Sequence, residues 1–167
     1  MIKVNALSAF SDNYIWVIQH DNDARVAVVD PGQAEPVLDY LEQHQLELGA
    51  ILITHHHPDH SAGVKKLLQH ADVPVYGPAG ERQPIDSLTA RLAQDDQVDL
   101  DWLGLTLDII EVPGHTAGHI AFHGGGMLFS GDTLFSGGCG KLFEGDAAQM
   151  RDSLDSLRAL PAATLVY

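Results

Sequence analysis

Thr54-His55-His56-His57-Pro58-Asp59-His60 packs four side chains that can ligate a metal, His55, His57, Asp59 and His60, into six residues. Just before them runs Leu48 to Ile53, a short apolar segment bounded by polar residues, which reads as a buried strand. If the backbone leaves that strand still extended, side chains two apart share a side. His55 and His57 then converge on one ion. Asp59 and His60, placed by the turn that Pro58 favours, face a second. Imidazole and carboxylate donors suit zinc, iron or manganese, whereas a soft copper or iron–sulfur site would call for thiolates. The bland alternative is a chance polar turn of solvated histidines. The strand, the spacing and the partners farther along the chain weigh against it.

Two further loops carry those partners. His115 lies in the glycine-flanked turn Gly114-His115-Thr116-Ala117-Gly118-His119 and is the third candidate ligand for the first ion. Asp132, in Ser130-Gly131-Asp132-Thr133, follows an apolar run and could bridge two metals with its two oxygens; as a bare dipeptide, Asp-Thr reads equally well as a cap. His119 is expected to orient the site and not to ligate, because ligating groups need hydrogen-bonding partners. His56 should point away from the ligands on either side of it. His20, His44, His70 and His123 fit no spacing pattern and read as surface residues.

These loops need a rigid frame. Ile2, Val4 and Ala6 alternate with polar residues as a half-buried strand does. Tyr14 to Ile18 and Ala24 to Val29 read as two more strands, the second stopped by Asp30-Pro31-Gly32. A helix follows, with Pro36 in its first turn and Val37, Leu38 and Leu41 as its apolar stripe. Gly63 to His70 reads as a short helix, and Val73 to Tyr76 as a strand ended by Gly77-Pro78. Residues 79–101 carry little signal. Leu105 to Val112 is a strand, and His119–His123 with Met127–Ser130 form a hairpin around three glycines. Asp146 caps a helix from Ala147 to about Leu160, and Thr164 to Tyr167 begins one more strand. Strands in runs with helices between them predict sheets covered by helices, an α+β arrangement. The chemically loaded residues all sit just past strand ends, after Ile53, Val112 and Ser130, where sites usually lie.

Composition bounds the function. The chain has 167 residues, one domain's worth, with a hydrophobic share of 45%. Nine basic against 23 acidic residues leave a formal charge of −14, which repels phosphate backbones and argues against nucleic-acid binding. No apolar run approaches the roughly 20 residues of a membrane span, and Met1 to Phe10 lacks a signal peptide's apolar core. Cys139 is the only cysteine, so no disulfide can form within the chain. A cytoplasmic monomer acting on a small molecule, with no membrane partner, is the expectation.

Thr54-His55-x-His57-x-Asp59-His60, then Pro113-Gly114-His115-Thr116-x-Gly118-His119, then Gly131-Asp132-Thr133, resembles the metallo-β-lactamase superfamily. Within it, Asp12-Asn13-Tyr14, Asp30-Pro31-Gly32, Gly131 to Phe135 and Gly138-Cys139-Gly140-Lys141 look like the glyoxalase II, or hydroxyacylglutathione hydrolase, family. The resemblance implies a four-layer αββα sandwich with two divalent ions, zinc foremost, at one edge of its sheets. His55, His57 and His115 would hold one ion, Asp59 and His60 the other, with Asp132 between them. It also places Lys141 and Phe143 against the glutathione part of the substrate, where members usually carry Tyr in place of Phe143. Residues 1–167 would be the catalytic domain, incomplete at its C-terminal end. A remaining ligand of the second metal and a helical substrate-binding domain would lie beyond Tyr167.

The chemistry so implied is hydrolysis of an S-(2-hydroxyacyl)glutathione thioester, such as S-D-lactoylglutathione, by a hydroxide held between the metals, with Asp59 and Asp132 in the catalytic set and activity weakened in this chain. No nucleophilic Ser or Cys is needed, which leaves Cys139 as a loop residue. Competing expectations are an iron persulfide dioxygenase of the same fold, using one metal, and a metal-binding fragment without catalysis.

Overall fold

The computed structural model describes residues 1–85 and 87–167. Three strands open it, β1 (Ile2–Ala9), β2 (Asn13–His20) and β3 (Arg25–Val29), followed by helix α1 (Glu35–His44) and strand β4 (Glu47–Leu52). Two single-turn helices, α2 (Pro58–Ser61) and α3 (Val64–Leu67), lead to β5 (Val75–Pro78). Next come β6 (Ala90–Leu92), β7 (Gln97–Leu100), β8 (Leu105–Glu111), β9 (Ile120–Gly124) and β10 (Met127–Phe129). A two-stranded ribbon of β11 (Leu134–Phe135) and β12 (Gly138–Cys139), helix α4 (Ala147–Arg158) and strand β13 (Leu165–Val166) follow.

The strands form two sheets. The first has the order β1-β2-β3-β4-β5-β6, antiparallel across its first three strands and parallel from β3 to β6. The second has the order β13-β10-β9-β8-β7 and is antiparallel apart from the β10–β13 pair. Period-2 alternation explains how the first sheet is buried on both faces. Val26 and Val28 point one way, with Ile15, Val17, Ile51 and Ile53, onto Val37 of α1 and Val64 and Leu67 of α3. Ala27, Val29, Ala50 and Leu52 point the other way and meet Leu107, Ile109, Phe122 and Phe129 of the second sheet. On the outer face of that sheet, Ala121 and Leu128 pack against Leu157 of α4. Helix, sheet, sheet, helix is the expected αββα sandwich.

Helix α4 starts where the sequence predicts. The Asp146 carboxylate accepts from the backbone N–H of Ala148 and Gln149, and the Gln149 amide oxygen accepts from the Asp146 N–H, a reciprocal capping box. Two local expectations need correction. Gly77-Pro78 does not end a strand at Tyr76, because β5 runs through Pro78 and pairs with β6. The quiet stretch of residues 79–101 contains β6 and β7, too short to register as alternation. The turn expected at Pro58 is present, as one helical turn that presents Asp59 and His60.

The two sheets are joined at one edge, where the Ile120 N–H donates to the Thr54 carbonyl at 3.0 Å. The loops that follow β3, β4, β8 and β10 gather at that edge.

Candidate metal centre

Thr54 ends the buried run of β4 and starts the histidine loop, and it bonds across the parallel pair to the side chain of Asp30, just past β3. Asp30 is buried, and its backbone is left-handed at φ 54°. Asp and Asn tolerate that conformation better than most residues. Its Oδ1 accepts from the Thr54 N–H at 2.7 Å, and its Oδ2 accepts from the Thr54 hydroxyl at 2.7 Å and from His60 Nδ1 at 2.9 Å.

These bonds fix which ring nitrogens are free. A carboxylate only accepts, so His60 Nδ1 keeps its proton and Nε2 is the nitrogen left to face a cation. The Thr54 hydroxyl spends its proton on Asp30, so it can only accept from His55 Nδ1, 3.0 Å away. His115 Nδ1 donates to the Lys141 carbonyl at 2.7 Å, freeing its Nε2. That Nε2 faces His57 Nδ1 at 3.0 Å.

Asp132 joins the two halves. Its Oδ1 lies 3.2 Å from His60 Nε2 and its Oδ2 lies 3.2 Å from His115 Nε2. The tight turn that delivers it needs Gly131, whose φ is 48° and where a Cβ would run into the Thr54 hydroxyl and the His119 ring. His119 is buried and stacks on His55 with ring centroids 4.7 Å apart, and its Nε2 accepts from the Asp132 N–H at 3.1 Å. It thus holds the backbone of Asp132, with no ligand side chain bonded to it.

Asp59 sits at the rim. Its side chain is 48% exposed, its Oδ2 lies 3.5 Å from His60 Nε2, and it accepts from the Asn13 amide at 3.0 Å. Lys141 and Phe143 lie on the other flank. The Phe143 ring stands edge-on to His57 and His115 at 5.2 and 5.3 Å, and the Lys141 ammonium lies 4.9 Å above that ring. His56, as expected, turns away and is buried.

Burial and neighbours set the charge states. Burial, together with the surrounding imidazoles, pushes His55 well below the usual imidazole range, and the same causes lower His57. Burial drives His119 down to about 3. Burial also opposes charge on His60, but the carboxylates of Asp30, Asp132 and Asp59 outweigh it and raise its pKa to about 12. The hydrogen bond from His60, with help from Asn13, holds Asp59 far below the usual carboxylate range.

The donor set fits divalent cations. His55, His57 and His115 each offer a nitrogen within 4.8 Å of the others, and Asp30, His55 and His60 form a second such group. His55 Nε2 is buried with no hydrogen-bond partner. A buried lone pair left bare is costly (about 1–3 kcal/mol), and one that converges with His60 Nε2 and the Asp132 and Asp59 carboxylates on the same space is what a cation would satisfy. The site opens on a cavity of about 880 Å³ lined by Asn13, Tyr14, Asp59, Asp132, Phe135 and Tyr167. That is room for a small molecule.

The sequence brings His55, His57, His60, His115 and Asp132 to notice, and the structure brings them together. It hides Asp30, because Asp-Pro-Gly after a strand reads as a turn. The available signal was position: like Asp132, Asp30 is an acidic residue just past a buried strand.

Residues 10–167 match the family model of the Metallo-beta-lactamase superfamily. The hydroxyacylglutathione hydrolase of Aeromonas salmonicida (strain A449) is 56% identical over 168 residues, which cover all of this chain and 64% of that protein. The chain therefore spans a little under two thirds of the length of that curated relative. Among solved structures, ETHE1 from Myxococcus xanthus superposes with a TM-score of 0.84 at 27% identity, covering 100% of this chain and 74% of that one. TTHA1623 in a di-iron-bound form superposes with a TM-score of 0.78 at 26% identity, covering 96% and 88%.

Proposed function

The chain belongs to the metallo-beta-lactamase superfamily, and from that premise we propose that it carries the catalytic centre of a two-metal thioester hydrolase acting on S-(2-hydroxyacyl)glutathione. The observation that carries this reading is the Asp132 carboxylate, which presents one oxygen to His115 and the other to His60. His55, His57 and His115 form the first pocket of donors, and Asp59 and His60 the second. Zinc is the proposed metal, with iron and manganese accepting the same donors.

When bound, such ions lower the pKa of water toward neutrality and polarise a carbonyl oxygen. The chain's own groups do the rest. Asp30, directly and through Thr54, keeps His60 and His55 turned with their Nε2 atoms facing the site, and the Lys141 carbonyl does the same for His115. Lys141 and Phe143 flank the first pocket on an exposed shelf, where we place the glutathione part of the substrate, its carboxylate toward the Lys141 ammonium. The acyl part then lies on the side of the large cavity. The 56% identity to a hydroxyacylglutathione hydrolase supports this choice of substrate. A glutathione substrate and the exposed, unpaired Cys139 suit a reducing cytoplasm.

The alternative, a persulfide dioxygenase, uses one iron. The shared position of Asp132 supports two ions, as does the di-iron form of the 26%-identical relative. Hydrolysis of S-D-lactoylglutathione by the zinc-loaded chain, with and without chelator, tests the proposal. Turnover abolished by chelation and restored by zinc is expected. Turnover indifferent to chelation would overturn it.

A further inference from the structure

Glu81 lies in the stretch of residues 79–101, where the sequence offers no motif, yet its side chain is only 3% exposed. Its Oε1 accepts from the His56 N–H at 2.9 Å and from the Thr116 hydroxyl at 2.8 Å. Its Oε2 accepts from the Gly118 N–H at 3.0 Å. His56 sits between His55 and His57, and Thr116 and Gly118 follow His115. One buried carboxylate therefore ties together the two loops that carry the three-histidine group.

The surroundings tighten this tie. The His56 ring lies between Glu81, with Nδ1 3.2 Å from Oε1, and Glu144, with Nε2 3.9 Å from its Oε1. Glu144 Oε2 accepts from the Ala117 N–H at 2.8 Å, binding the His115 loop from the other side. Gly118 is packed so closely on the backbone of Gly80 and Glu81 that no Cβ fits there. His56, Glu81 and Glu144 also lie close enough together to suggest a third cation site. Both oxygens of Glu81 are already taken by N–H and O–H donors, so the cluster acts as a clamp.

We infer that Glu81 is a positioning residue that sets the separation of the His55–His57 loop from the His115 loop, and thereby the affinity of the three-histidine group for a divalent ion. This rests on the metal-centre reading above. A loop free to drift must be brought back for its histidine to bind, and that ordering is charged against the affinity.

The test is zinc affinity of the metal-free chain, measured by competition with a chromogenic chelator, together with the visible spectrum of the cobalt(II)-loaded form. Glu81→Gln keeps the length but turns one acceptor into a donor facing N–H groups, and Glu81→Asp is too short to reach both loops. Each should weaken the first ion about 10–100-fold, the range known for residues supporting metal ligands, and should alter the cobalt spectrum. Thr116→Val removes only the hydroxyl bond, so it should weaken binding less and carries the test if the Glu81 variants fail to fold. Thr89→Ala, which cuts side-chain bonds to Val75 and none to either histidine loop, should lower thermal stability and leave affinity unchanged. Wild-type affinity and spectrum in folded Glu81→Gln or Thr116→Val would overturn the inference alone. A wild-type chain that binds no ion would overturn the metal-centre reading with it.

Discussion

Replacing Asp30 by Asn should weaken one metal ion and spare the other. Asn accepts the left-handed backbone at this position, so the change isolates the carboxylate. The Asn oxygen can keep the bond from the Thr54 N–H, which leaves its amide NH₂ facing the Thr54 hydroxyl and His60 Nδ1. The hydroxyl can rotate and still accept from His55. His60 cannot adapt so easily. Against a donor, its Nδ1 gives up its proton and the ring keeps the one on Nε2, the nitrogen that faces Asp59 and Asp132. Holding Nε2 free forfeits one charge-assisted hydrogen bond, about 1.5–3 kcal/mol. At about 1.4 kcal/mol per decade, the second ion should bind about 10–150-fold more weakly. The first ion, on His55, His57 and His115, should stay within about threefold. Stepwise zinc titration against competing chelators reads both constants. Equal weakening of the two steps, or no change in either, would refute the assignment of Asp30 as the group that orients His60.

Proton release should differ between the two ions. In the metal-free chain His60 is raised to about 12, so at neutral pH it is charged and must shed a proton to bind, whereas burial already keeps His55 and His57 neutral. Calorimetry in buffers of different ionisation enthalpy should show the second step releasing about one proton from His60. The same raised pKa means that the stability His60 gives the metal-free fold is full below about pH 6.5 and fades as pH rises toward 12, which denaturant titrations across that range can follow. Lys141→Ala should raise KM for the glutathione thioester several-fold and leave kcat nearly unchanged, since the ammonium flanks the donors without entering them. Phe122→Ala empties a fully buried position between the sheets and should cost about 3–5 kcal/mol, read from chemical denaturation.

Sheets covered by helices were legible because the strands announce themselves, whereas the four-layer αββα order followed from the family resemblance. Val26 to Val29 and Ala50 to Ile53 are apolar without a break, which is what strands buried on both faces require. The Gly-rich hairpin and the Asp146 cap are local signals and appear where expected. β6 and β7 were not legible. Three or four residues each, held by pairing with β5 and β8, have too few side chains to show a period. In the site, the histidines stand out by spacing, but the groups that aim them do not. Asp30 acts across a parallel strand pair and Glu81 across two loops, so their bonding partners lie 24 to 37 residues away in sequence. Such partnerships are made by the fold and leave no trace in local spacing. Asn13 is similar, since its bond to Asp59 spans 46 residues.

Anomalous diffraction from crystals of the zinc-loaded chain would count the ions and place them. Two peaks about 3.5 Å apart are predicted, one at about 2.0–2.1 Å from nitrogens of His55, His57 and His115 and the other on Asp59 and His60. The Asp132 carboxylate should reach from one to the other. A single peak with Asp132 turned aside, or zinc held by His56, Glu81 and Glu144 instead, would contradict it.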